Sequence, residues 1–237
     1  PFDPRFSRHR QDDYTEGNAF QWSWFVPHDV LGLIELVGGE VKFAEKLDTL
    51  FNTSSELTGE EVSSDISGLI GQYAHGNEPS HHMAYLYSYV GAAPKTQEII
   101  RKILDTMYDD TPAGLEGNED CGQMSAWYVF SALGFYPVAP GQNVFVIGTP
   151  LFEETTLKLG EYFNNKELTI KAEGVSSENF YIQSATLNGA PYKKSWISHA
   201  DIIDGGTLIF KMGPVPNKTW GSAPDGIPPS MTEMKKH

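Results

Sequence analysis

Three polar stretches carry the side chains of acid–base chemistry. The first runs Asp13-Tyr14-Thr15-Glu16-Gly17-Asn18-Ala19-Phe20-Gln21-Trp22-Ser23-Trp24 and continues to His28-Asp29. The second is His75-Gly76-Asn77-Glu78-Pro79-Ser80-His81-His82, and the third spans Gly117 to Trp127 through Asn118-Glu119-Asp120-Cys121-Gly122-Gln123. Each sets carboxylates among amides, histidines or aromatic rings. Cleavage of a glycosidic bond uses that mixture: aromatic faces hold the apolar side of a sugar, one protonated carboxyl assists the leaving oxygen, and an ionised one activates water or attacks. Glu16, Glu78, Glu119 and Asp120 are the candidate acids.

Each signal also has a structural reading. Glu16 before Gly17 suits a helix start, and Asn118 to Asp120 suit an N-cap cluster, because both places favour acids and amides. His81 and His82 read equally as packed, hydrogen-bonded histidines. Trp127 shares its helix with Val129, Phe130 and Leu133 and reads as core, whereas Trp22 either fills the core or borders a sugar. Cys121, the only cysteine, reads as a small buried residue and excludes an intrachain disulfide or a cysteine-built zinc site. His28-Asp29 is either a pair supporting the site or the polar start of a helix.

The elements that must position these stretches change in texture along the chain. Phe43, Ala44, Leu47, Leu50 and Phe51 recur at helical spacing, as do Ile99, Ile100, Ile103, Leu104 and Met107 behind Pro94, which suits a first helical turn. Pro27 separates a helix within Gly17 to Phe25 from another within His28 to Val37, and Gly38-Gly39 ends the latter. His81 to Val90 and Gly122 to Leu133 complete the helical set. From Asn143 onward, short alternating segments read as strands: Val144 to Ile147, Thr156 to Leu159, Leu168 to Ala172, Phe180 to Leu187 and Leu208 to Met212. Asn188-Gly189 signals a hairpin into Tyr192 to Trp196. The expected fold class is α+β: part of an (α/α)6 toroid of helix pairs over 1–140, an antiparallel sheet or sandwich over 141–222, and a Pro-rich surface tail over 223–237.

Composition narrows the partners. A formal net charge of −14 disfavours nucleic acid, whose phosphates need clustered Lys and Arg. The longest nearly apolar run, Ala126 to Ala139, is interrupted by Ser131, Gly134 and Pro137 and is too short to span a bilayer. The 40% hydrophobic content suffices for a core. The chain opens at Pro1 without a charged-then-apolar leader, so any secretion signal is expected to have been removed or to lie upstream.

Several strings resemble the α-mannosidases of glycoside hydrolase family 92: Tyr14-Thr15-Glu16-Gly17-Asn18-Ala19, His75 to His82, Gly117 to Trp127, Phe135-Tyr136-Pro137 and Ile147-Gly148-Thr149-Pro150. They appear in the family's order, from about Tyr14 to Trp220. The resemblance implies inverting, calcium-dependent removal of terminal α-linked mannose from glycans, in a periplasmic or secreted enzyme, with the α-1,2 linkage weakly favoured. By motif position, Glu16 would be the general acid and Asp120 the general base, with carboxyls about 6.5–9.5 Å apart to admit a water. Asn118 stands where some members carry a second acid. Asn77, Glu78, Trp22 and His81 would meet substrate, and Asn77, Glu78 and Glu119 are candidate contacts for calcium, which prefers several oxygens. The resemblance further implies an N-terminal sandwich domain and the first toroid helices, which this chain lacks, so the chain alone is expected to turn over weakly or not at all. The alternatives are another α/α-toroid glycosidase or a phosphorylase, and a non-catalytic carbohydrate-binding or structural piece.

Overall fold

A computed structural model describes residues 2–8, 11 and 13–232. Helix α1, Ala19–Trp22, is a single turn opened by a capping box in which Asn18 and Gln21 satisfy each other's backbone N–H groups. It is shorter than the sequence suggests, because the chain must turn out before Pro27. Helix α2, Val30–Val37, is capped by the Asp29 side chain and stops at Gly38, whose φ of 104° requires a residue without Cβ. Helix α3, Glu40–Asn52, buries Phe43, Leu47, Leu50 and Phe51, the stripe its spacing predicts.

The strands β1, Leu69–Ile70, and β2, Tyr73–Ala74, form a small hairpin just ahead of His75. Met83–Val90, expected within an α-helix, is a 3₁₀ segment. Every residue from Met83 to Tyr89 is buried, so no solvent face exists to impose α periodicity. It packs against α2, α3 and helix α4, Ala93–Thr106, which carries Pro94 in its first turn. Helix α5, Gln123–Leu133, lies against α4.

Two sheets follow. Strands β3, Phe135–Tyr136, and β4, Val144–Ile147, pair antiparallel. Beyond them come β5, Glu154–Lys158, β6, Glu167–Glu173, β7, Tyr181–Leu187, and β8, Ala190–Tyr192. Strand β9, Trp196–Ser198, leaves the hairpin and joins β4, so the expected partner Tyr192 to Trp196 is divided between two sheets. A short helix α6, His199–Ile203, then leads into β10, Gly206–Gly213. The larger sheet has the order β5-β6-β10-β7-β8. One of its pairings, β10 with β6, is parallel, where alternation alone suggested an all-antiparallel sheet. The last strand inserts between two earlier ones, a choice no local pattern announces.

At the β7–β8 turn the hairpin signal is realised: Asn188 and Gly189 have φ of 51° and 81°, and Leu187 faces Ala190. Buried residues form two clusters. One gathers Trp24, Phe43, Tyr85, Ile100 and Trp127, and the other Leu168, Ile182, Leu208, Phe210 and Trp220. Phe135 and Ala93 belong to the second while Val146 belongs to the first, so helical and sheet portions are packed through each other's elements. Among the described residues, no helix is long and apolar enough to cross a membrane.

The segment read as a surface tail is docked through Thr232. Gly226 O accepts from Ser195 N at 2.8 Å and Ser195 Oγ at 2.9 Å, while Ser230 and Thr232 bind Asp29. Its prolines suit an extended strap as well as a free tail, and only the facing residues distinguish the two. Lys235, Lys236 and His237 lie outside the described residues.

Candidate active site

The three polar stretches meet. Asn77 Nδ2 donates to Glu16 O at 2.6 Å, tying the second stretch to the first. Just behind, Asn18 Nδ2 donates to Gln72 Oε1 at 3.2 Å and Gln21 Nε2 to Gln72 O at 3.0 Å. The second and third stretches touch backbone to backbone at Gly76 and Gly117. A Cβ on Gly117 would stand 2.5 Å from Gly76 O, which explains glycine at that crossing.

These ties bring three carboxyls into one field. The Glu78 carboxyl is raised above its ordinary value first by burial, then by the nearby Asp120 carboxyl and by the charge of Glu16. Neighbouring carboxyls disfavour one another's ionised form, which is why the shift is upward. Glu16 and Asp120 themselves are exposed.

The backbone around both is strained. Apart from asparagines and glycines, the described residues with left-handed φ are Glu16 at 56°, Asp120 at 48° and Cys121 at 57°. Each costs about 1–2 kcal/mol relative to an ordinary conformation. Such strain gathers where geometry serves function rather than stability. With Gly122 at 99°, residues Asp120 to Gly122 form a run of three left-handed residues before α5. Glu119 holds that run: its carboxylate accepts from Gly122 N and, at 3.2 Å, from Ser125 N, contacts that lower its pKa. Cys121, expected to be buried, is exposed because this coil points it outward.

Beneath the carboxyls lies a neutral histidine layer. His75 is fully buried, with Nδ1 2.7 Å from the Tyr73 hydroxyl and Nε2 2.7 Å from that of Tyr108. Tyr108 donates onward to Met124 O at 3.2 Å, so Tyr108 accepts from His75 Nε2–H and Tyr73 donates to Nδ1. Burial, with the nearby His81, holds His75 far below the usual imidazole value. His81 Nε2 donates to His75 O at 3.0 Å and its Nδ1 accepts from Gln123 Nε2 at 3.1 Å. His82 Nε2 donates to Trp24 O at 2.8 Å. Burial lowers both to about 4, so both are neutral near pH 7. Trp127 is fully buried and donates to His81 O at 3.0 Å, as its core reading requires.

Glu78 opens onto a cleft of about 420 Å³, within the roughly 300–1,000 Å³ of small-molecule sites. Its lining also includes Phe25, Pro27, His81, Gln123, Tyr136, Pro137, Val138 and Pro140. Phe25, Gln123 and Tyr136 are not singled out by the sequence as cleft residues, although Gln123 and Tyr136 belong to quoted strings. Trp22 sits beside the cleft lining: its indole N–H donates to Thr15 O at 2.8 Å and its ring meets Phe25 edge-on at 5.3 Å. Asn118 is exposed next to the strained run.

Calcium takes about 6–8 oxygen ligands. Among the described residues no three His, Cys, Asp or Glu side chains group as a metal site. Asn77 spends its amide nitrogen on Glu16, and both Glu119 oxygens accept backbone N–H groups.

A protein of Arthroderma benhamiae called an uncharacterized secreted glycosidase is 34% identical over 223 residues, spanning 93% of this chain and 26% of that protein. A family 92 α-mannosidase of Bacteroides thetaiotaomicron in complex with mannoimidazole matches with a TM-score of 0.90 at 42% identity, over 98% of this chain and 30% of its own. A family 92 inverting mannosidase of the same organism gives 0.79 at 38% identity, over 92% of this chain and 30% of its own. The chain thus spans about a quarter of that curated relative's length. The glycosyl hydrolase family 92 catalytic domain matches residues 1–214, and the chain belongs to that family.

Proposed function

We propose that this chain forms the acid–base part of an exo-acting α-mannosidase that hydrolyses terminal mannose from glycans with inversion, the rest of the enzyme completing the site. The observation that carries the reading is the joining of the three loops, Asn77 to Glu16 O and Gly76 to Gly117, which sets Glu78 on the cleft with Asp120 and Glu16 near enough to raise its pKa. Of the three carboxyls Glu78 lines the cleft, while Glu16 and Asp120 are exposed on the loops tied to it. Glu16 donates a proton to the departing oxygen, and Asp120 takes one from the attacking water. Glu78, with Asn77 behind it, faces the leaving sugar, and the rings of Phe25 and Tyr136 offer apolar faces to the pyranose. Asn118 orients water beside Asp120 without sharing its proton, since an amide does not titrate. His81 braces Gln123 in the wall, and Trp22 steadies the loop of Glu16 through Thr15.

The names of the relatives support the substrate class and, for one of them, the inverting outcome. The relative called secreted supports an extracellular setting. Calcium dependence and preference for the α-1,2 linkage are separate proposals, and no step here passes through the ion.

The test is the full-length enzyme on linkage-defined mannobioses, with and without chelator, following the anomer released. Glu16→Gln and Asp120→Asn should each lower kcat by about 10²–10⁴-fold. Activity within threefold of wild type in both variants would refute the assignment.

A further inference from the structure

Asp29 makes more hydrogen bonds than capping α2 needs. Its Oδ1 accepts from Gly32 N at 3.1 Å, Ser230 Oγ at 2.9 Å and Thr232 N at 2.9 Å, and its Oδ2 accepts from Thr232 Oγ1 at 2.7 Å. Ser230 Oγ in turn accepts from Leu31 N at 3.1 Å. Burial acts to raise the Asp29 carboxyl, yet these bonds prevail and hold it at about 2. The clasp fastens the strap to the start of α2.

The residues just before Asp29 are the cleft wall. Phe25 and Pro27 line it, and Asp29 N donates to Val26 O at 3.2 Å. His28 O accepts from Gln142 Nε2 at 3.2 Å, joining this turn to the one after Pro140, which also lines the cleft. The Phe25 ring leans on Trp22 at 5.3 Å and on His82 at 5.8 Å, and Trp22 holds Thr15, next to Glu16. A continuous set of contacts thus runs from the strap to the wall and on to the loop of the acid.

We propose that the Asp29–Ser230–Thr232 clasp positions the Phe25–Pro27 wall of the cleft and so sets substrate affinity without touching substrate. The proposal deepens the mannosidase reading and rests on it. Asp29 is a positioning residue: freeing the strap leaves the carboxyls in place but lets the wall populate wider arrangements, and only the narrow ones bind.

The test compares full-length wild type with Asp29→Ala, with the double variant Ser230→Ala/Thr232→Val, and with Thr232→Ser. The double variant keeps the Gly32 cap, so it folds even if Asp29→Ala does not. It should raise KM for a mannobiose about tenfold while kcat stays within about twofold. Amide exchange at Phe25 to Asp29 should quicken, and Thr232→Ser should behave as wild type because it retains the hydroxyl. An unchanged KM in the double variant, or KM and kcat changing only in step with the folded fraction, would overturn the clasp. If wild type cleaves no mannoside, the glycosidase reading fails by itself, and unchanged exchange at Phe25 to Asp29 would then overturn the clasp independently.

Discussion

Substituting Gly117 by alanine should separate the second and third polar loops by a calculable amount. Gly117 has φ of 72°, and its added Cβ would lie 2.5 Å from Gly76 O, 3.0 Å from Gly76 Cα and 3.2 Å from Gly76 C. The last two atoms are carbons of a backbone that cannot rotate away, and ordinary carbon contacts sit at about 3.5–4.0 Å. The loops must therefore part by roughly 1 Å. A displacement of that size at reacting groups costs about 10²-fold in rate. The left-handed conformation adds about 1–2 kcal/mol of strain. Gly189→Ala provides the comparison, because Gly189 has φ of 81° but nothing within 4 Å of its added Cβ. It incurs the conformational strain alone, in a hairpin of the sheet. Measured on the full-length enzyme by kcat on a mannobiose and by urea unfolding, both variants should lose about 1–2 kcal/mol or more of stability. Only Gly117→Ala should lose about 10²-fold in kcat. If Gly117→Ala keeps kcat within threefold of wild type while losing no more stability than Gly189→Ala, the Gly76–Gly117 contact does not register the carboxyls.

Two further predictions concern pH. Because the folded Glu78 carboxyl is raised above its ordinary value of 4.5, this group binds its proton more tightly in the native state, so its own contribution to stability falls as pH rises above 4.5. Glu78→Gln, whose amide carries no titrating proton, should be the more stable form at neutral pH and lose that advantage in acid; denaturation midpoints from pH 4 to 7 that stay parallel would refute this. Asp29 has the opposite sign. With its folded value at about 2 against an ordinary 3.8, its contribution is present above 3.8 and fades as pH falls towards 2. Asp29→Asn should thus be less stable than wild type at pH 6, with the gap closing between pH 4 and 2, as followed by thermal unfolding.

Much of the fold was legible because its signals are local. Pro94 sits in the first turn of α4, Gly38 ends α2, Asn188-Gly189 turns the hairpin, and the stripe of α3 is the buried one. These follow from φ preferences and side-chain periodicity, which act within a few residues. The 3₁₀ form of Met83–Val90 was not legible, since uniform burial leaves no periodic pattern.

The site divides in the same way. Sequence alone determined which residue types were available for acid–base chemistry and in which three stretches, because motif order and composition are properties of the chain. It also determined that Trp127 belongs to a core helix. Tertiary structure decided that Glu78 meets Asp120 and feels Glu16, that Glu119 caps its own turn, that Cys121 faces outward, that β10 runs parallel to β6, and that the strap closes on Asp29. Each of these depends on which distant backbone arrives opposite a given residue, and that is set by burial of two cores together rather than by any neighbour in the chain.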